Sequence, residues 1–418
     1  MTVVPPVRIT VLVVCLIVGL LGDVADAGAQ INVGTGPLTG TLAETEPTAG
    51  VLSFGPLKAA PGLIIRELGW DSNVFAEPAS ESPKEDYVAA LQPDLSIFMR
   101  LRFVKISAYG GSELTYYRKY ESERSVGHSV RGRVDLLFSR MRPFVAGGQT
   151  KTRARANSEI DVRANRKDEE FSGGFAFDLS AHSLMYVAAV RTRNSFEDAF
   201  QQDVNLGESM TRQGHDYSGG LRTDITPLLA LTMFGGYHED LFIAVPERNT
   251  ESYYGTAQLR FAPEGVINGT AAFTYRDMTP VDPGIRPFRG ILGQVGLTYR
   301  LLEVGRLNLG LTRNLEYSFD TAEAYYLENS ATLAYTHRVV GAIDVQAKAA
   351  RSYFDYSARD TVPAHKDTLD TAAGSLGYNL RNRTRVALNY EYSRRRSPEF
   401  AVRDYDRRRA FLSWLFAF

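Results

Sequence analysis

Asp216 and His238 are the pair in this chain whose types could do acid–base chemistry. If a turn near Pro227 joins their strands, both share the register that sets Tyr217 opposite Tyr237, and both side chains point the same way. An aspartate beside an imidazole is the arrangement that orients a histidine base for hydrolysis, and Ser218 and Asp240 lie close by in that register. The rival reading is a histidine tied to a carboxylate for structural reasons, and a slip of one residue would dissolve the pair. His128, His182, His215, His337 and His365 show no metal-ligand spacing. The Gly-Gly pairs at 110–111, 173–174 and 219–220 lie inside strands rather than before helices, so they are not phosphate loops. No catalytic residue, metal or cofactor is assigned, and a hydrolase is the remote alternative.

A wider set of charges alternates with apolar residues. Arg131, Arg133, Asp135, Arg222, Arg260, Arg276, Glu316, Arg338, Asp344, Arg385 and Glu391 fall on the polar face of alternating segments, with Glu67, Asp71, Glu113, Asp178 and Asp224. They read either as the lining of an aqueous channel whose opposed charges select solutes, or as Arg–carboxylate pairs that solvate one another across strands. Both readings make the polar face an enclosed one, because such charges facing lipid would cost ~2–4 kcal/mol each near the midplane.

The elements that carry these residues are strands. In Arg306–Tyr317, Leu307, Leu309, Leu311, Leu315 and Tyr317 share one face; Asn308, Gly310, Thr312, Asn314 and Glu316 share the other. The same period runs through 266–277, 290–299 and 383–393. Segments of about ten to thirteen residues have the length of tilted strands crossing a bilayer, whereas a soluble sandwich uses shorter ones. Short turns, as at 101–103, 180–182 and 262–265, alternate with longer polar loops, as at 74–86, 195–210 and 397–404. The expectation is an all-β fold: a transmembrane antiparallel β-barrel of roughly eighteen strands (about sixteen to twenty), with short periplasmic turns and long extracellular loops. Closure is required, because an open edge in lipid leaves backbone groups unpaired. Two stretches, Lys151 to Lys167 and Arg394 to Arg409, read as basic loops that could meet lipopolysaccharide phosphates or an anionic polymer.

The ends agree with export. Arg8 precedes an apolar run, Ile9 to Leu21, and small-residue cleavage sites follow at 25–27 or 27–29, so residues 1–29 are expected to be a signal peptide. Cys15, the only cysteine, sits inside that run, so the mature chain is expected to hold no thiol. Residues 30–61, rich in Gly, Thr and Pro, are expected to be a flexible periplasmic segment before a barrel at 62–418. Ala410, Leu412, Trp414, Phe416 and Phe418 share a face of the last strand, a pattern similar to the signal by which outer-membrane barrels are recognised for assembly. The 47 basic and 48 acidic residues nearly cancel, which gives no argument for a nucleic-acid partner.

The stretch Glu67-Leu68-Gly69-Trp70-Asp71-Ser72-Asn73-Val74-Phe75, followed by a strand carrying Pro93, resembles the opening signature of the beta-barrel porin 2 family of outer-membrane proteins. The resemblance covers about Gly62 to Phe418. It implies a barrel without catalytic residues, in genomes often found beside exopolysaccharide genes. The expected function is therefore a porin-like passive conduit for small, anionic or saccharide solutes, with a link to polysaccharide. A non-conducting scaffold or secretion-complex partner is the alternative. Expected partners are outer-membrane lipid and lipopolysaccharide, and the barrel-assembly machinery through the strand ending at Phe418.

Overall fold

The computed structural model describes residues 51–417, apart from 156–158, 161, 198, 202, 303, 321–323, 358–363 and 381–383. The expected signal peptide with Cys15, residues 30–50, the turn at 381–383 and Phe418 lie outside the described residues.

Alternation along the chain becomes a closed antiparallel barrel of 18 strands. In chain order these are β1 (Leu57–Asp71), β2 (Asp86–Arg100), β3 (Val104–Tyr117), β4 (Ser125–Leu136), β5 (Met141–Arg155) and β6 (Arg163–Asp178). Then come β7 (Ser183–Phe196), β8 (Arg212–Thr226), β9 (Leu229–Phe242), β10 (Thr250–Phe261), β11 (Ile267–Pro280) and β12 (Phe288–Leu301). The last are β13 (Gly305–Tyr317), β14 (Tyr325–Val340), β15 (Ile343–Tyr356), β16 (His365–Asn379), β17 (Arg385–Arg396) and β18 (Tyr405–Ala417). Each strand pairs with its sequence neighbours, and β1 pairs with β18 from Gly62↔Ala417 to Asp71↔Arg409, which leaves no edge.

One face of the wall is apolar and exposed: Val130, Phe171, Met233, Phe273, Ile291, Leu309, Leu388 and Leu412 all lie on it. Its two rims are aromatic, with Tyr217, Tyr237, Tyr253 and Tyr275 toward the long loops and Tyr299, Tyr335, Tyr378 and Trp414 toward the short turns. Such girdles mark the two interfaces of a bilayer. The alternate residues face the lumen, and there the buried set includes many polar residues, among them Ser107, Thr232, Gln258, Thr274, Arg276, Asp344, Arg385 and Glu391, beside apolar ones such as Phe144 and Phe234.

Three expectations need correction. The first barrel strand starts at Leu57, inside the stretch read as a flexible segment, and a short strand Leu52–Phe54 folds back on it. Small residues and Pro61 hide the alternation there. Pro61 pairs with Leu95 on one side and lies beyond the β18 ladder on the other, so its missing N–H interrupts nothing. The basic loops are largely strand: Lys151 pairs with Lys167 and Arg155 with Arg163, while Arg394 pairs with Asp406 and Arg395 with Tyr405. The ladders continue past the apolar band, where charge is solvated and composition resembles that of a loop.

The third correction concerns β13. It pairs with β12 from Leu301↔Gly305 to Gly293↔Arg313, although β12 extends to Phe288 and β13 to Tyr317. Beyond that point β13 stays with β14 up to Tyr317↔Tyr325 and bends into the barrel. Leu315 and Tyr317, expected on the lipid face, are buried. Leu315 packs on Met278, Phe288 and Leu292, residues of the inner face of β11 and β12. Period two fixes which residues share a face; it does not fix what that face is laid against.

Candidate functional site: a charged lumen and its converging outer loops

The lumen holds ion pairs along single strands, between neighbouring strands and across an intervening one. Arg133 reaches Asp135 at 2.7 Å and lies 4.2 Å above the Phe144 ring. Arg385 donates to Asp344 at 2.6 Å, and Asn379 donates to the same carboxylate. Arg409 bonds Glu391 and reaches Glu67 at 3.4 Å, while Arg407 donates to Asp71 through Nε at 3.0 Å. Arg222 pairs loosely with Asp224 at 3.4 Å near the short-turn end. Arg131 stands exposed, opposite Tyr109 and Gly148. Arg260 lies opposite Ala230 and Thr270, and Arg338 lies in register with Asp344. The residues named from sequence thus occupy separate sectors of one inner surface rather than a single cluster.

On β10 and β12–β15 the short-turn end is unbalanced. There Arg260, Arg300, Arg306, Arg338 and Lys348 alternate with the apolar face, against one inward carboxylate at that end among the described residues, Asp344; Glu316 and Glu328 face inward at the long-loop end of β13 and β14. Arg300 and Arg306 are direct cross-strand neighbours. Like charges placed opposite each other repel.

A buried network spans β8–β11. Asp216 pairs with His238 in register, and their side chains lie 3.6 Å apart at Nδ1. Nε2 of the same ring is 3.1 Å from Asp240 Oδ2. Tyr254 donates to Asp216 at 2.9 Å, Arg212 approaches Asp240 at 3.5 Å, and Arg276 donates to Ser252 at 3.0 Å. Tyr317 arrives from β13 and donates to Asp240 at 2.7 Å. A hydrolytic base must keep one ring nitrogen toward a nucleophile and the other toward its orienting acid. Here both nitrogens face acids, so His238 bridges two carboxylates of the wall. Ser218 is buried beside the Tyr254 hydroxyl rather than against a ring nitrogen of His238.

Above this network the long loops converge. Ile160, Leu206, Met210 and Phe319 come from three different loops and form one dry cluster with Ala164 and Phe196. A short helix, α1 (Leu206–Met210), capped by the Asn205 side chain on Gly207 N, sets two of these residues. Arg248, buried beneath, donates to the carbonyls of Ser209 (2.7 Å), Ser318 (2.6 Å) and Ala324 (3.1 Å), and stacks 4.6 Å from the Phe242 ring. Burial lowers its guanidinium to about 10. Glu159 accepts from Ser318 Oγ at 3.0 Å and Phe319 N at 3.2 Å, and pairs with Arg403 at 3.7 Å. Burial raises the Glu159 carboxyl, partly offset by Arg403 and these hydrogen bonds. Arg403 continues to Asp367, which Arg395 holds at 2.9 Å.

Sequence reading missed Arg212, Arg248, Glu159 and Asp367, and read Arg395 and Arg403 as parts of a basic loop rather than as buried partners of Asp367 and Glu159. The available signal was the apolar residues Ile160, Leu206, Met210 and Phe319 standing in otherwise polar loops.

Several solved outer-membrane proteins are similar to this chain at low identity. A BenF-like porin from Pseudomonas fluorescens Pf-5 matches with TM-score 0.47 and 11% identity, over 86% of this chain and 99% of that one. OpdK from Pseudomonas aeruginosa, solved with vanillate, gives 0.48 and 12%, over 86% and 99%. OccAB4 from Acinetobacter baumannii gives 0.49 and 12%, over 87% and 98%. No protein of curated function matches the sequence. The family model described as Putative beta-barrel porin 2 matches residues 61–417, and the chain belongs to that family.

Proposed function

We propose that this outer-membrane porin-like barrel gives passive passage to small anionic solutes, acidic saccharides among them, and serves a cell that exports polysaccharide. The observation that carries the anionic preference is the cation excess on β10 and β12–β15. A cationic lining held between low-dielectric walls raises the local concentration of anions and repels cations. Nothing in the lumen supplies energy, so flow follows the solute gradient. The basic ends of β5, β6, β17 and β18 favour contact with lipopolysaccharide phosphates, the pattern of β18 fits recognition by the assembly machinery, and residues 1–29 act as a cleavable signal peptide.

A second reading, a non-conducting scaffold or secretion partner, is favoured by the loops that converge over the outer mouth. Purified barrel in a planar bilayer separates the two. Ohmic steps whose reversal potential in a salt gradient has the anion sign support the conduit. Silence from correctly folded, heat-modifiable protein supports the scaffold.

A further inference from the structure

We infer that the outer end of β13, Asn314–Tyr317, is a gate with two seats: the inward one seen here, and an outward one in which it zips onto β12. The effect on flow rests on the conduit reading; the two seats do not.

The inward seat is built from specific contacts. Tyr317 bonds Asp240 of β9 and Thr250 of β10, both at 2.7 Å, reaching strands that lie beyond β11 and β12 from its own. Leu315 fills the cluster of Met278, Phe288 and Leu292. Arg248 ties down the Ser318 carbonyl.

The outward seat is written in the pattern of β13 and in the edge it abandons. Leu307, Leu309, Leu311, Leu315 and Tyr317 share the face of a wall strand, interrupted once by Arg313 near the rim. Continuing the present antiparallel register outward would set Ile291 opposite Leu315, Gly290 opposite Glu316 and Arg289 opposite Tyr317. Ile291 is 60% exposed on the lipid face, so Leu315 would join an apolar surface, and Tyr317 would join the aromatic rim. Glu316 would face the lumen beside a residue with no side chain. Meanwhile the edge of β12 is covered by side chains: Arg313 Nε donates to the Ile291 carbonyl at 3.1 Å, and the Tyr325 hydroxyl to the Pro287 carbonyl at 3.3 Å. An unzipped edge at the rim of a membrane favours re-pairing. Each seat therefore satisfies the same residues differently, as a bistable element requires.

Two cysteine pairs in a Cys15→Ser background test this. Leu315→Cys with Met278→Cys traps the inward seat, with Phe288→Cys as a substitute for Met278→Cys should that pair not fold. Leu315→Cys with Ile291→Cys traps the outward seat. The expected result is that both pairs cross-link in folded, heat-modifiable barrel, read by mass. Conductance should rise several-fold with the 291–315 bond, fall with the 278–315 bond, and return in both cases on reduction. Complete 278–315 cross-linking with none at 291–315, under the same oxidation, overturns the two seats. A 291–315 bond with no current before or after reduction upholds the seats and overturns the conduit.

Discussion

Tyr317 and Asp240 share a 2.7 Å hydrogen bond although their strands, β13 and β9, are separated in the wall by three others. The bond is possible only because the end of β13 has left the sheet and crossed the inner faces of β12, β11 and β10. It draws a hydroxyl from one hairpin into a network of acids and bases built by another. Wall and plug are thereby one structure.

Replacing Tyr317 by Phe removes the donor and keeps the ring that packs edge-on against Phe242 at 5.1 Å. A hydrogen bond to a charged acceptor contributes about 1.5–3 kcal/mol, so the inward seat should weaken by about ten- to a hundredfold. Hydrogen exchange at residues 315–320 should accelerate while that of β9 and β10 holds. Single-channel records of the variant should spend more time in the larger conducting level.

The buried Glu159 carboxyl gives the plug a pH dependence. Its folded value is raised above that of an exposed glutamate, chiefly by burial. Docking of the loops therefore binds a proton: the stabilisation is full below the ordinary carboxylate range and is lost as pH rises through the folded value. Open time should increase with pH from about 4 upward. Glu159→Gln, which mimics the protonated form, should flatten that profile on the closed side.

On the lipid face, Leu388→Arg or Leu309→Arg should cost about 2–4 kcal/mol in vesicle-refolding equilibria. The neighbouring lumen substitution Thr312→Arg should cost far less and act on conductance instead. Urea titration of folded barrel in vesicles measures the first effect, and bilayer recording the second. Equal cost on both faces would contradict the assignment of inside and outside.

Reversing charge on the cationic sector, with Arg260→Glu and Arg338→Glu together, should move the reversal potential in a salt gradient toward the cation sign. The same substitutions should leave the barrel folded, because Arg260 is only half-buried and Arg338 is exposed. Unchanged selectivity would remove the sector from the permeation path.

How much of this was legible beforehand follows from how far each inference reaches along the chain. The alternation Leu307, Leu309, Leu311 and the short turn at 340–341 are local, and they give strand, face and hairpin without further information. The Asp216–His238 register needs only one turn to be placed correctly. The same register brings Arg212 to Asp240; what adds Tyr317 is the inward bend of β13, and no local period records it. Leu315 is the instructive case: its position on a face was readable, and the surface that face meets was not. The loop residues Ile160 and Leu206 carried a fainter hint, because an apolar side chain in a polar loop needs some partner to cover it.

The junction of β1 with β18 bears on how the molecule is made. Asp71 and Arg407 clasp that junction from positions 336 residues apart, and Arg409 ties Glu67 into it beside a bulge after Ile65. Chain ends so distant meet late, since loop-closure entropy must be overcome before such a contact helps. Loss of either terminal strand would therefore not yield a narrower cylinder. It would strand an unfinished ribbon at the membrane, its two raw margins open to its own neighbours and to proteases.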